Sequence, residues 1–348
     1  MGKMCIREKK MGLKILHTAD WHIGKEERTE DIFKQIEKLI TIAKDYDFVI
    51  VAGDLFDDEK SISVYGKRLK ETIKKTQTPF LAILGNHEYE GIDKIEELFS
   101  YSPLTIFTEP KILNIKGIKI LFYPFKKGEN SRDVLSFVNK KDIDLAVLHG
   151  SIMSDEKLTS ALKNYLYFPL YKKDIVEFPF KYVALGHYHN YKEYSIGNTT
   201  LCYSGTIEPL TFDNEGERYV NIIQIEGSKI THKPLNIGSI SKFKTIEWKW
   251  DEEDKMDEII NYKQKYDFLR VIITGFTKNT LKLNAAAERL KQMNIKAELE
   301  VESLDEILSV PIGKIFYEKI EQCMEKEPQK KDLYKRAFIE GCKIISKC

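Results

Sequence analysis

The sequence contains few cysteines, and they follow no recognisable pattern. The five cysteines in 348 residues are an odd number and include no Cys-x-x-Cys pair, so neither a disulfide framework nor a zinc knuckle is indicated. This usage predicts a reducing, cytoplasmic compartment. No apolar run approaches the length of a membrane span, which predicts no membrane association. We expect residues 1–10, which are charged and lack an apolar signal region, to be a disordered extension before Met11.

The chain also lacks a strong net charge and the motifs of several enzyme classes. Its formal net charge is +1, so no overall field favours nucleic acid or a membrane, although local patches could. Neither a Gly-x-Ser-x-Gly elbow nor a Walker sequence occurs. The content of 42% hydrophobic and 31% charged residues is typical of a globular protein with a sizeable core. The length predicts two domains rather than one.

Five short apolar runs in the first 190 residues predict buried strands, and each run ends in a polar turn. The turns are Asp20-Trp21-His22, Gly53-Asp54, Gly85-Asn86-His87-Glu88, His149-Gly150 and Gly186-His187-Tyr188-His189. Any one turn could be an ordinary loop. However, five of the seven histidines stand at or just after these strand ends, which is not a random distribution. Because ligands bind beyond the carboxyl ends of parallel strands, we expect the turns to meet at one rim.

The residue types at this rim predict a site for two divalent metal ions. In the predicted scheme one ion binds Asp20, His22, Asp54 and His189, and the other binds Asp54, Asn86, His149 and His187, so that Asp54 bridges the two. Imidazole and carboxylate ligands without thiolate suit manganese, iron, zinc or nickel.

His87 receives no metal in this scheme and is the predicted catalytic residue. Since it follows Asn86, its ring is expected to reach the leaving side of a bound phosphate, where it would donate a proton or stabilise developing charge. Water activated between the two ions would attack phosphorus in line, which removes the need for a nucleophilic Ser or Cys. Asp57 is predicted to cap or orient rather than to bind metal.

The ordered set Asp-x-His, Gly-Asp, Gly-Asn-His-Glu, His-Gly and Gly-His-x-His resembles the calcineurin-like metallophosphoesterase superfamily, over roughly residues 13 to 226. Within that superfamily, the segments from His17 to Gly24, Val51 to Asp57 and Tyr203 to Glu208 are similar to the SbcD group. That group is the bacterial and archaeal counterpart of the Mre nuclease of double-strand-break repair.

The expected fold is α/β: a four-layer α/β/β/α sandwich with the metal loops at one edge. We assign the sandwich to residues 11–236. The β-α-β-α-β pattern of residues 237–304 predicts a small capping domain. Residues 305–348 predict amphipathic helices, which would pack on their own domain or present an apolar stripe to a partner helix.

The resemblance implies a manganese-dependent DNA phosphodiesterase that acts as an exonuclease on duplex ends and as an endonuclease on single strands. It also implies a homodimer bound to a coiled-coil ATPase of the SbcC/Rad type. Our own candidates for the dimer contacts are helices near residues 59–75 and 91–100. The pairs Lys126-Lys127 and Lys172-Lys173 are candidates for phosphate contacts, and an ordinary solvated surface is an equally good interpretation of them.

Two other functions use the same sequence features. A small-molecule or cyclic-nucleotide phosphodiesterase or phosphatase would need the same metal centre, but the predicted capping domain favours a nuclease. A non-catalytic scaffold that recruits a partner through the terminal helices is disfavoured, because every predicted ligand position is filled and His87 is present.

Overall fold

The computed structural model of the chain describes residues 12–100, 102–139, 141–154, 168–250, 254–277 and 279–345. The chain divides into two compact units, Met1–Leu210 with Gly216–Ile240, and Thr211–Glu215 with Ser241–Cys348. The predicted extension at residues 1–10 lies outside the described residues, and the predicted boundaries at residues 237 and 305 stay predictions.

The first unit contains two six-stranded sheets. The strands are β1 Leu13–Thr18, β2 Phe48–Ala52, β3 Phe80–Ile83, β4 Leu104–Phe107, β5 Lys111–Ile115, β6 Ile118–Phe122, β7 Leu145–His149, β8 Ser151–Met153, β9 Pro169–Tyr171, β10 Tyr182–Gly186, β11 Lys192–Ile196, β12 Thr199–Tyr203, β13 Tyr219–Glu226 and β14 Lys229–Asn236. One sheet has the order β14-β13-β1-β2-β3-β4 and the other β11-β12-β10-β7-β6-β5, while β8 and β9 pair separately. Strands β1 to β4 are parallel to one another, and so are β6, β7, β10 and β12, so their carboxyl ends point the same way within each sheet.

In the described part of the first unit, five helices cover the outer faces of these sheets. They are α1 Thr29–Ala43, α2 Glu59–Ile73, α3 Ile92–Phe99, α4 Ser131–Val138 and α5 Lys172–Ile175. Helix α1 forms because Ile32, Ile36 and Leu39 recur at helical spacing and bury one face.

Three separate apolar clusters define the layers of the first unit. Ile15 and Ile50 of one sheet pack with Ile120 and Val147 of the other, which places a core between the sheets. A second cluster joins the first sheet to α1–α3, and a third joins the second sheet to α4 and α5. The predicted α/β sandwich is therefore confirmed.

The second unit contains a parallel three-stranded sheet with the order β15-β16-β17. Its elements are β15 Phe243–Lys249, α6 Met256–Lys263, β16 Phe268–Thr277, α7 Thr280–Gln292, β17 Lys296–Ser303, α8 Leu304–Ser309, α9 Pro311–Lys326 and α10 Lys331–Ile345. The terminal helices pack on their own unit, since the Phe338 ring contacts those of Phe276 and Phe316. Ile312, Ile315 and Leu333 nevertheless remain exposed. Over the described part of the chain, no helix has the length and apolarity to cross a membrane.

Candidate metal centre

The predicted site residues lie in loops that leave the carboxyl ends of β1, β2, β3, β7 and β10. Several of these residues adopt left-handed backbone conformations, with φ of 52° at Asp20, 48° at His22, 53° at Asp54 and 102° at His187. Residues other than glycine rarely adopt such φ values, which cost on the order of 1–3 kcal/mol each and cluster at functional sites. The surrounding fold must therefore hold these loops in place.

Backbone hydrogen bonds continue the pairing of β1 and β2 into their loops. The Asp20 amide donates to the Gly53 carbonyl and the His22 amide to the Asp54 carbonyl, each at 3.0 Å. Gly85 approaches this pair of loops so closely that a Cβ atom there would collide with Oδ1 of Asp54. The loops are thus packed at a spacing that only glycine at position 85 permits.

The first group of converging ligand atoms comes from Asp20, His22 and His189. Nε2 of His22 lies 3.1 Å from Nε2 of His189. Nδ1 of His22 lies 3.1 Å from Oδ1 of Asp57. A carboxylate on the far nitrogen is the arrangement that fixes the ring of a metal-binding histidine, and it is the orienting role that the sequence predicts for Asp57.

The second group comes from Asp54, Asn86, His149 and His187. Oδ1 of Asn86 lies 3.0 Å from Nε2 of His149 and 3.2 Å from Nδ1 of His187. Oδ2 of Asp54 lies 3.3 Å from Nε2 of His149 and 3.7 Å from Nε2 of His22. One carboxylate therefore faces both groups, as a bridging ligand would. The structure brings all seven predicted ligands together, and their division between two ions stays a prediction.

The hydrogen bonding of these groups tests whether a cation fits. Nδ1 of His149 lies 2.8 Å from the Ala52 carbonyl oxygen, which can only accept, so this nitrogen carries the proton. In the neutral ring Nε2 then presents a lone pair, yet it faces the oxygens of Asn86 and Asp54. Lone pairs that converge in this way repel one another unless a proton on Nε2 or a metal cation lies between them. The donor set therefore fits one or more divalent metal ions.

The pKa values of the site also indicate that its buried carboxylates stabilise a nearby positive charge. Burial alone would lower the pKa of His149, but the facing carboxylates of Asp54 and Asp20 raise it to about 9. Burial alone would raise the pKa of Asp54, but the charge of His149 lowers it well below its usual range. Burial and nearby histidines lower the pKa of His187 to about 3 and that of His189 to about 4, so both rings are neutral, which is the form that binds a metal ion.

His87 lies at the open side of this centre. Its ring packs edge to face on that of His22, with 4.7 Å between centroids, and Nε2 lies 4.0 Å from Oδ2 of Asp54. Nδ1 of His87 lies 2.6 Å from the carbonyl oxygen of Asp57, so Nδ1 carries the proton in the neutral ring. The side chain is 38% exposed, unlike the buried His22 and His149. His87 is thus the most exposed histidine of the centre and also lies near the converging oxygens, as a proton donor must.

Two residues whose roles the sequence did not predict, Glu88 and Arg218, support the centre. Glu88 is fully buried and its carboxylate accepts from the amide of Phe56 at 2.7 Å and from that of Gly85 at 2.9 Å, which ties two of the loops together. The guanidinium group of Arg218 donates to the His189 carbonyl oxygen at 3.2 Å. The Phe56 amide and the His189 carbonyl group lie far away in sequence from Glu88 and Arg218, so no local pattern could have identified these contacts.

The candidate phosphate-contacting lysines lie in two segments of the chain, one after β6 and the other in α5. Lys126 is paired with Glu109, which favours an ordinary surface role for it. Lys172 and Lys173 lie in the short helix α5 and are exposed. None of the described contacts links these side chains to the seven ligands, so their role in binding phosphate remains a prediction.

Comparison with known proteins identifies the family. The sequence model described as calcineurin-like phosphoesterase matches residues 13–217. The chain therefore belongs to the calcineurin-like phosphoesterase family, and the prediction of a phosphoesterase enzyme is confirmed at that level.

Similar proteins narrow the group within the family. The chain is similar to the SbcD component of the nuclease SbcCD from Staphylococcus epidermidis, with 24% identity over 302 residues that cover 76% of this chain and 79% of that protein. It is also similar to DNA double-strand break repair protein Mre11 of Methanosarcina acetivorans, with 30% identity over 277 residues that cover 71% of this chain and 42% of that protein. These similarities confirm the predicted resemblance to the SbcD and Mre group.

A solved structure described as a novel archaeal phosphodiesterase also matches. It covers 64% of this chain and 100% of its own length, with 15% identity and a TM-score of 0.35.

Proposed function

We propose that this protein is a two-metal phosphodiesterase that hydrolyses DNA in double-strand-break repair, as an exonuclease on duplex ends and an endonuclease on single strands. The observation that carries the proposal is the convergence of six other ligand side chains around Asp54, with His87 exposed beside them. The similarity to proteins named as a nuclease component and as a DNA double-strand break repair protein supports DNA as the substrate.

The proposed ligand scheme is the one that the sequence predicts. Asp20, His22 and His189 would hold one ion and Asn86, His149 and His187 the other, with Asp54 as the shared ligand. Two such ions, with manganese as the proposed metal, would supply Lewis-acid stabilisation of the phosphoryl oxygens and would lower the pKa of water.

Asp57 and His87 supply the positioning and the proton transfer that the reaction also needs. Asp57 holds the ring of His22, so that its Nε2 stays aimed into the centre. Nδ1 of His87 is held by the Asp57 carbonyl, which leaves Nε2 on the side of the converging oxygens. When His87 is protonated, Nε2 donates a proton to the departing oxygen of the phosphodiester.

The proposed assembly is a homodimer that works with a coiled-coil ATPase of the SbcC/Rad type. The name of the S. epidermidis relative describes one component of a larger nuclease, which supports a partner protein. The exposed apolar residues Ile312, Ile315 and Leu333 of the terminal helices offer a surface for a partner helix. A cytoplasmic location remains a prediction.

A substrate comparison tests the proposed function. Metal-stripped protein is supplied with Mn²⁺ and given linear duplex DNA, single-stranded DNA and bis-p-nitrophenyl phosphate in parallel, with Asp54→Ala as the blank. We expect metal-dependent degradation of both DNA substrates. Turnover of the small ester with intact DNA would contradict the proposal and indicate a small-molecule phosphodiesterase, and no turnover of any substrate would indicate a scaffold.

A further inference from the structure

The loop that follows β10 presents an aromatic side chain beside the metal centre. Tyr188 stands between His187 and His189, and it is 39% exposed although its neighbours face the centre. The left-handed backbone of His187, with φ of 102°, turns the chain sharply just before Tyr188. The amide of His187 donates to Oδ1 of Asp20 at 2.8 Å, which fixes this turn. The exposed tyrosine is therefore held at a defined place next to the ligands.

A second tyrosine, Tyr203, packs against the Tyr188 ring. The ring of Tyr203 is buried and meets that of Tyr188 with 4.7 Å between centroids and an interplanar angle of 63°. The Tyr203 hydroxyl donates to the Gly150 carbonyl oxygen at 2.8 Å and accepts from the Ile152 amide at 3.2 Å. Because Tyr203 is anchored in this way, the Tyr188 ring rests on a fixed support while part of its surface faces solvent.

The surroundings of this tyrosine pair suit a nucleotide. Tyr194 also contacts Tyr203, with 6.3 Å between centroids, and Nζ of Lys192 lies 5.1 Å from the centre of the Tyr194 ring. Aromatic rings beside a cation are the elements with which proteins bind unpaired bases and the adjoining phosphate backbone. An exposed aromatic ring gives no advantage for binding a phosphate alone, so its place beside the ligands points to the base of the same nucleotide or of its neighbour.

We propose that Tyr188 is the stacking platform for one unpaired base next to the scissile phosphate. This inference rests on the proposed function, and it adds that the enzyme selects a nucleotide whose base has left the duplex stack. Stacking of this kind tolerates all four bases, because every base has a π face. The platform thus favours single-stranded or frayed DNA over paired DNA without imposing a sequence preference.

The test is a scan with abasic nucleotides. A single-stranded oligonucleotide cut at one known phosphate is prepared with one abasic site at each nearby position in turn, and kcat/KM is measured with Mn²⁺. For the wild type we expect one position beside the cut where loss of the base lowers kcat/KM by between about fivefold and a hundredfold. In Tyr188→Leu, which keeps an apolar group on Tyr203 but no aromatic face, this sensitivity should vanish. In Tyr188→Phe it should persist.

Controls separate this inference from the proposed function. Tyr46→Ala removes a partly buried tyrosine at the amino-terminal end of β2, away from the metal loops, and should keep the full abasic sensitivity. Metal content and the unfolding midpoint of each variant report any structural damage. If Tyr188→Leu cuts DNA and stays as sensitive to the abasic site as the wild type, the platform is wrong and the nuclease stands. If the wild type neither binds nor cuts DNA, the stacking platform and the proposed nuclease function are both wrong.

Discussion

Both units contain parallel strands, but in the described part of the chain only those of the first unit carry converging ligand side chains at their carboxyl ends. Strands β1, β2 and β10 of the first unit run into Asp20, Asp54 and His187, all with positive φ. In the described part of the second unit the only such residue outside glycine is Asn294, just before β17 rather than after a strand. The same local architecture therefore serves packing in one unit and a strained polar rim in the other.

This difference shows that the first unit accepts a loss of folding stability at the rim that forms the metal centre. The polar rim combines left-handed backbone, buried carboxylates and converging lone pairs, each of which is unfavourable alone. The second unit has an apolar core of Val271, Ile273 and Leu290, and the ends of its strands carry ordinary residues such as Lys249 and Ser303. Substitutions at the rim should therefore change chemistry, and core substitutions in the second unit should change stability.

The largest effect is expected at Asp54, which faces both ligand groups. Asp54→Ala should lower metal-dependent turnover at least about a thousandfold, which corresponds to about 4 kcal/mol of transition-state stabilisation. The matched control is Asp257→Ala, which removes an exposed carboxylate from α6 in the second unit and should leave turnover unchanged. Equal activity of the two variants would remove the functional contrast between the units.

His87 is expected to give the next largest effect, on chemistry alone. Since it is not a ligand in the proposed scheme, His87→Ala should keep the metal content of the wild type and lose about a hundredfold or more in kcat. Metal analysis and steady-state kinetics on the same preparation measure both quantities. A variant without metal would refute the assignment, because ligand atoms of His87, His22 and Asp54 also lie within 4.8 Å of one another.

Ile273 tests the other side of the comparison. It is fully buried in the middle strand β16, so Ile273→Ala should lower the free energy of unfolding of the second unit by roughly 2–5 kcal/mol through the cavity left behind. Metal content and turnover of bis-p-nitrophenyl phosphate should stay at wild-type values below the unfolding transition. Loss of bound metal from folded Ile273→Ala would mean that the metal centre depends on packing in the second unit, which would contradict the comparison.

The smallest effect concerns His17, which is buried near the rim but aims at no ligand. Burial lowers its pKa from 6.5 to about 3, so the unfolded chain takes up a proton below pH 6.5 while the folded protein does not. Stability is consequently lost as the pH falls, by about 2 kcal/mol from this group between about pH 6.5 and 5. Urea unfolding of the metal-free protein at both pH values measures the loss, and His17→Gln, which does not titrate, should reduce it by that amount. The same pH dependence in both proteins would contradict this.

The sequence predicted the parts of the molecule that depend on local pattern. The five polar turns follow apolar runs whose period and length define buried strands, so Asp20, Asp54 and His149 could be placed at one rim from the amino-acid order alone. The β-α-β-α-β pattern of the second unit was visible for the same reason. Strand β14 was missed because it is polar and mostly exposed and contains Pro234.

Contacts between residues distant in sequence were beyond such reasoning. In the sequence Glu88 is a charged residue in a turn, which is typical of an exposed side chain. In the structure it is fully buried and accepts a hydrogen bond from the amide of Phe56. Arg218 reads as a surface cation, yet it is buried and supports the His189 carbonyl. Helix α4 could have been found, since Asn130 and Asp133 form a capping box with a recognisable spacing.

The most direct test of the central claim is the metal stoichiometry of the wild type. The metal-stripped protein is titrated with Mn²⁺ by calorimetry, with bound metal counted after gel filtration, and Asp54→Ala is treated in the same way. We predict two ions for each wild-type chain and none for Asp54→Ala, because Asp54 faces both groups of ligands. One ion or none in the wild type, or two in Asp54→Ala, would contradict a two-metal centre bridged by this carboxylate.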